Sequence, residues 1–201
     1  MYKQFKMLQL HISAYLNTVA MTDLILASHL TNTQSHDIWK NSVIHISEQT
    51  EGTLGFIMNQ SVANIDHLAI SKIYGIGSLP KSRVWCGGPV MTDRCTVIHS
   101  TDYVHKDTRK MSEHAALTFN DKVVRDIQEG KGPKHYKVIL GFCQWETGQL
   151  DAEIMRGSWL ATSHSNLMWS SYKSKDKMWR RIIERDTRQD AKTFLDSLTV
   201  E

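Results

Sequence analysis

Apolar positions along this chain change their spacing several times, and each change marks an element. Phe5, Leu8, Ile12, Tyr15 and Val19 recur at intervals of three and four, which places them on one face of an amphipathic helix. A second start at Met21 leads into a short strand over residues 23–27. Residues 42–46 and 54–58 are compact apolar runs joined by a polar, glycine-containing link over 48–52, the pattern of a β-hairpin. Residues 66–73 read as a short helix, and Gly75, Gly77 and Pro80 break the chain before residues 83–86. After a Gly87-Gly88-Pro89 turn the next strand is 95–99, and 101–113 is polar enough for a loop.

Residues 120–129 turn Val123, Val124 and Ile127 to one side and are stopped by Gly130 and Gly132, as a helix would be. Residues 136–142 form the clearest strand, short and apolar, entered from a Gly-Pro turn. A helix over 149–156 ends at Gly157, and 158–161 is extended again. The last helix, from about 174 to 198, places Trp179, Ile182, Ile183, Phe194, Leu195 and Leu198 inward. This irregular mixture predicts an α+β (mixed α/β) fold with a twisted, largely antiparallel sheet rather than a doubly wound one. At 201 residues the chain suits a single compact domain, here 21–201, preceded by an extension over 1–20.

Charge sharpens one end of this picture. The net charge is only +3, but residues 173–192 hold eight basic side chains against four acidic ones, so the rest of the chain is slightly acidic. The three cysteines, Cys86, Cys95 and Cys143, form no CxxC pair and point to a reducing compartment, hence a cytoplasmic protein. No run approaches the ~18 apolar residues of a membrane span.

Common catalytic signatures are missing: there is no phosphate loop, no GxSxG, no HExxH and no complete GxGxxG. Cys86, Cys95, His99, His105 and His114 lack the spacing of a closed zinc site, so neither a metal nor a cofactor is expected. Three features remain. Cys143, placed past a strand end and ahead of a helix, is a candidate redox-sensitive thiol. The segment 141–154 carries a strand through a tight turn into a helix, with Gln149 and Glu153 on one helical face, and makes a candidate ligand site. The basic helix offers Arg180, Arg181 and Arg188 as nucleic-acid or partner contacts, with Trp169, Tyr172 and Trp179 available for stacking.

Three motifs carry a resemblance. Glu51-Gly52-Thr53-Leu54-Gly55-Phe56-Ile57-Met58-Asn59 is followed by Cys86-Gly87-Gly88-Pro89-Val90, and then by Leu140-Gly141-Phe142, Trp145, Gly148-Gln149-Leu150, Glu153 and Ser158-Trp159-Leu160, with Asp176 and Trp179 beyond. In this order they resemble the YqgE/AlgH family (DUF179, UPF0301) over residues 21 to 181. One departure is Gln60-Ser61 after Asn59, where the family has Arg-Pro. The resemblance implies a single α+β domain whose sheet partly closes into a small barrel, flanked by helices. It also implies a regulator of transcription, with no catalytic residue to carry over. The motif site it marks is Asn59, Gly87, Gly88, Pro89, Trp145, Gly148, Gln149, Glu153 and Trp159.

These observations together lead to a non-enzymatic regulatory or adaptor protein acting through a protein or nucleic-acid partner. Two alternatives are a small-molecule-binding protein or unrecognised enzyme, with its pocket between the Gly87-Gly88-Pro89 turn and the Trp145–Glu153 region, and a phage-encoded modulator of a host protein.

Overall fold

The structure, a computed structural model, describes residues 25–28, 38–49, 52–62, 84–162, 168–169, 175–188 and 193. Strands β1 (Ile25–Ser28), β2 (Val43–Gln49) and β3 (Thr53–Ile57) come first, then β4 (Val84–Cys86), β5 (Val90–His99), β6 (Thr108–Lys110) and β7 (Ala116–Thr118). Helix α1 (Lys122–Gln128), strand β8 (Tyr136–Trp145), helix α2 (Gln149–Met155), strand β9 (Trp159–Thr162) and helix α3 (Lys175–Thr187) follow. The helices expected over 5–19 and 66–73, the extension 1–20, Tyr172 and most of 189–198 lie outside the described residues.

The strands form one sheet in the order β6-β7-β5-β8-β3-β2-β1-β9, antiparallel throughout that path, and β4 pairs in parallel with β8. It curves into a half-barrel with the helices packed around it, a single α+β domain. β2 and β3 make the expected hairpin, with a register shift between Ile46 and Glu48.

β8 is the spine. Its first half pairs with β5 on one side and β4 on the other, and its last three residues pair with β3. The change of partner falls at Gly141, whose φ of 69° lies in the left-handed region that favours glycine. Side chains change phase there. Ile139 and Phe142 both pack with the first core cluster, whereas Cys143 and Trp145 turn to the second. A strict alternation would have put Phe142 on the opposite face from Ile139.

The Gly87-Gly88-Pro89 turn fills the junction. Gly87 donates its N–H to the Leu140 carbonyl and accepts from the Ile57 N–H, both at 2.8 Å, so it stitches β3 to β8 where the two strands are not directly paired. A Cβ on Gly87 would strike the Gly141 carbonyl and the Ile139 side chain, and one on Gly88 would strike the Phe142 backbone. The glycines are there because two backbones touch.

Three apolar clusters hold the domain. One gathers Phe56, Met58, Ile139 and Leu117 under Trp179, Ile182 and Ile183 of α3; a second lies between Ile44, Ile46 and Ile57 and the Leu150 and Ile154 face of α2; a third sets Val123 and Val124 of α1 against Val97 and Val138. Each fully buried aliphatic or aromatic side chain contributes roughly 1.5–3 kcal/mol, which is why these short helices hold their shape.

Several boundaries differ from the sequence-based expectation. β5 begins at Val90 rather than at 95: the exposed residues Met91–Arg94 belong to the strand, and the register with β8 shifts between Val90 and Cys95. The expected loop over 101–113 contains β6, an exposed edge strand that Ala116–Thr118 covers as β7. β8 continues past 142 to Trp145. No described helix is long and apolar enough to cross a membrane.

Candidate functional site

α2 begins at Gly148, which takes a left-handed φ of 77° and lets the chain turn straight from β8 into the helix. The Gln149 side chain steadies that turn, its Oε1 accepting the Glu146 N–H at 2.9 Å. One turn on, Glu153 faces the same side, as residues four apart on a helix must. Its Oε1 accepts the Gln149 Nε2 amide at 2.9 Å, while its Oε2 accepts two indole N–H groups, from Trp145 at 2.9 Å and from Trp159 at 2.8 Å. A single carboxylate therefore joins the end of β8, the helix that follows and the start of β9.

The two indoles meet edge to face with centroids 6.1 Å apart, and Trp39 packs on Trp159 in the same manner at 5.9 Å. Such pairs add about 0.5–1.5 kcal/mol beyond the area they bury. Trp145 and Trp159 are each only 4% exposed, whereas Trp39 is half-buried at the rim.

These side chains surround a pocket of about 330 Å³. Its apolar walls are Trp39, Pro89, Val90, Trp145 and Trp159. Gln144, Gln149, Glu153, Arg156 and Ser158 supply the polar part. Of the nine motif residues, Pro89, Trp145, Gln149, Glu153 and Trp159 line it. Gly87 and Gly88 lie behind the wall, fixing Pro89 against β8, and Gly148 sets the direction of α2. Asn59 belongs elsewhere: its Oδ1 accepts the Val43 N–H at 2.8 Å and its Nδ2 donates to the Asn41 carbonyl at 2.7 Å, a clamp on the start of β2.

Sequence reasoning missed Trp39 and Arg156 and did not single out Gln144, Val90 or Ser158, although Gln144 lies in the candidate segment 141–154 and the other two stand in the quoted motifs. Arg156 had a signal, lying three residues after Glu153 on the same helix. Trp39 had none, because tertiary packing alone brings it to Trp159.

Cys143 corrects its expectation. It lies within β8, not beyond it, is 1% exposed, and donates its S–H to the Gly87 carbonyl at 3.3 Å. Burial pushes the thiol up, with Cys86 nearby adding to the effect, so the thiolate that redox chemistry needs is disfavoured.

The basic helix is partly as expected. Arg180, Arg181 and Arg188 are exposed. Trp179, however, is buried in the first core cluster and cannot stack on a base, and Trp169 donates its indole N–H to the His114 carbonyl at 3.0 Å. Asp176 accepts a hydrogen bond from Asn41 at 2.8 Å, tying the start of α3 to the approach to β2. The described helix runs to Thr187, and Arg188 takes a positive φ of 56°.

A shallower cleft of about 430 Å³ lies at the loop end of β5 and β8, lined by Asp102, His114, Lys134, His135 and Trp169 among others. Asp102 accepts the Lys134 N–H at 3.1 Å and the Ser100 hydroxyl, holding the loops together. No group of three metal-ligating side chains occurs among the described residues.

A family model described as AlgH-like (DUF179) matches residues 24–189. A UPF0301 protein of Methylococcus capsulatus is 30% identical over 152 residues, covering 74% of this chain and 82% of its own, and one of Rhodospirillum rubrum is 33% identical over 143, covering 69% and 74%. Among solved structures, the AlgH protein of Pseudomonas aeruginosa superposes with a TM-score of 0.68 at 21% identity, covering 92% of this chain and 95% of its own. A Corynebacterium diphtheriae protein does so with a TM-score of 0.63 at 16% identity, covering 82% and 86%. With the match running from the first described strand through the last helix, the chain belongs to the AlgH-like family.

Proposed function

We propose that this chain is a non-enzymatic regulatory protein of the cytoplasm that acts by recognition at the indole-walled pocket. The observation that carries this reading is the bonding of Glu153. The carboxylate of the pocket is held by two indole N–H groups and an amide, not by a hydroxyl or thiol that it could activate as a base. Rigid aromatic walls around a few fixed polar groups are the composition of a binding site. Three free thiols support a reducing compartment.

The test is a ligand and partner screen on the full chain, read by the indole N–H resonances of Trp39, Trp145 and Trp159, with Trp39→Ala as the control. Binding that moves these resonances and consumes nothing is expected. Saturable turnover of a nucleotide, ester or peptide would overturn the reading.

A second mode of action rests on α3. Trp179, Ile182 and Ile183 anchor one face of the helix in the core, which holds Arg180 and Arg181 outward in a fixed array. That arrangement supports contact with a nucleic acid or an acidic partner. Anisotropy titrations of labelled duplex and single-stranded DNA should weaken linearly in log salt, with a shallower slope once Arg180, Arg181 and Arg188 are Ala. No binding at low salt would remove this mode.

A further inference from the structure

The pocket's own hydrogen bonding indicates which ligand chemistry it has left open, an inference that rests on the recognition reading above. A carboxylate offers about four acceptor positions. Glu153 commits three of them internally, with Oε2 bonded twice and Oε1 once. Its negative charge is therefore answered by donors of the protein itself, and it serves as the brace that fixes Trp145 and Trp159.

Arg156 is in the opposite situation. It lies one helical turn beyond Glu153, is exposed, lines the same pocket, and forms no ion pair with a described carboxylate. A guanidinium carries five N–H donors in a planar fork that matches a carboxylate, and it has no acceptor function. Gln144 and Ser158 stand at the same pocket, and neither side chain donates to a partner among the described residues. The walls between are apolar: Trp39, Pro89, Val90 and the two braced indoles. A site with apolar walls, an acid already hydrogen-bonded within the protein and a guanidinium without a described ion-pair partner is complementary to an anion with an apolar body.

We infer that this pocket takes a small aromatic carboxylate, its ring against Trp39 and the Pro89-Val90 wall and its carboxylate on the Arg156 guanidinium. The same chemistry would be offered by a free aromatic acid or by an aromatic residue at the carboxyl terminus of a partner peptide.

The test uses the full chain and two probes of similar shape and opposite charge, naphthoate and naphthyltrimethylammonium, followed by the indole N–H resonances. A peptide ending in Phe, with its amidated counterpart, separates the two sources. Naphthoate should bind at least about tenfold more tightly than the ammonium probe, the worth of one charge-assisted hydrogen-bonded pair. Arg156→Gln should abolish that preference, and Trp39→Ala should weaken both probes; both positions are at the rim, and an unchanged Tm verifies that each variant folds. Equal or better binding of the ammonium probe, or unchanged naphthoate binding in Arg156→Gln, would overturn the ligand class while leaving the pocket as a binding site. If neither probe nor either peptide moves any of the three indole resonances at millimolar concentration, the recognition reading itself fails.

Discussion

Trp159 donates its indole N–H to Glu153 at 2.8 Å, and the oxygen that receives it also receives Trp145 at 2.9 Å. Replacing Glu153 by Ala leaves two nearly buried indole donors without a partner. The expected loss is roughly 2–6 kcal/mol, since each of the two unsatisfied buried donors costs about 1–3. It should be read as a fall in the urea midpoint at unchanged slope. Combining this change with Trp159→Phe should cost at least about 1 kcal/mol less than the sum of the single changes. Strict additivity would show that the two indoles do not depend on the shared oxygen.

Gly141 and Gly130 have nearly the same φ, 69° and 72°, but different surroundings. A Cβ at Gly141 would sit 2.6 Å from the Gly88 carbonyl oxygen and 2.9 Å from that of Val90, whereas one at Gly130 would meet nothing within 4 Å. Gly130→Ala should therefore cost only the left-handed backbone penalty of about 1–2 kcal/mol. Gly141→Ala adds a clash between backbones and should cost clearly more. Thermal unfolding of the two variants side by side measures the contact separately from the conformation.

Two buried bases make stability depend on pH in separate windows. His45 is fully buried, and desolvation lowers it from 6.5 to about 4; its Nδ1 lies 2.9 Å from the Ile46 carbonyl and its Nε2 has no partner among the described residues. The unfolded chain binds the proton more readily between pH 6.5 and 4, so stability falls as pH drops through that range, by roughly 3 kcal/mol in all. His45→Leu should flatten this acid limb.

Lys137 acts at the other end of the scale. Its ammonium donates to the Met58 carbonyl at 2.6 Å and lies 4.1 Å over the Trp85 ring, yet burial lowers it from 10.5 to about 8. The unfolded chain holds that proton more tightly between pH 8 and 10.5, so stability rises across this window. Lys137→Met should remove the rise, which denaturation in urea at a series of pH values would show directly.

The buried setting of Cys143 predicts a thiol that reagents reach only through unfolding. In a variant with Cys86 and Cys95 changed to Ala, labelling of Cys143 should be orders of magnitude slower in buffer than in urea. Rapid labelling of the native variant would restore the idea of a reactive thiol.

What was legible in the sequence follows from how local each signal is. The spacing of Gln149 and Glu153 fixes a shared helical face whatever surrounds it, and Gly148 marks where α2 must begin. The hairpin of β2 and β3 was readable because its apolar runs are bounded by polar turn residues. β6 and β7 were not, because Thr108–Lys110 is an exposed edge and three residues show no period. β8 was cut short at 142 because the apolar run gives way to Gln144, whereas the strand continues to Trp145 after changing phase at Gly141. The same rule holds within the site. Its helical half was visible, while Trp39 reaches Trp159 only across the folded sheet.

The three partners of β8 also set how the chain must fold. β8 pairs Val138 with Val84, Cys143 with Gly55 and Val97 with Val138, contacts that all close long loops of sequence. Loop closure on that scale has to be achieved before the ladder returns any stabilisation, which makes such a topology slow to fold. The indole cluster straddles the difference. Trp145 and Trp159 are joined by the short α2 link, while Trp39 precedes β2, which lies between β3 and β1 in the sheet. The pocket therefore has no local precursor in the chain: its walls exist only once β2, β8 and β9 share one sheet.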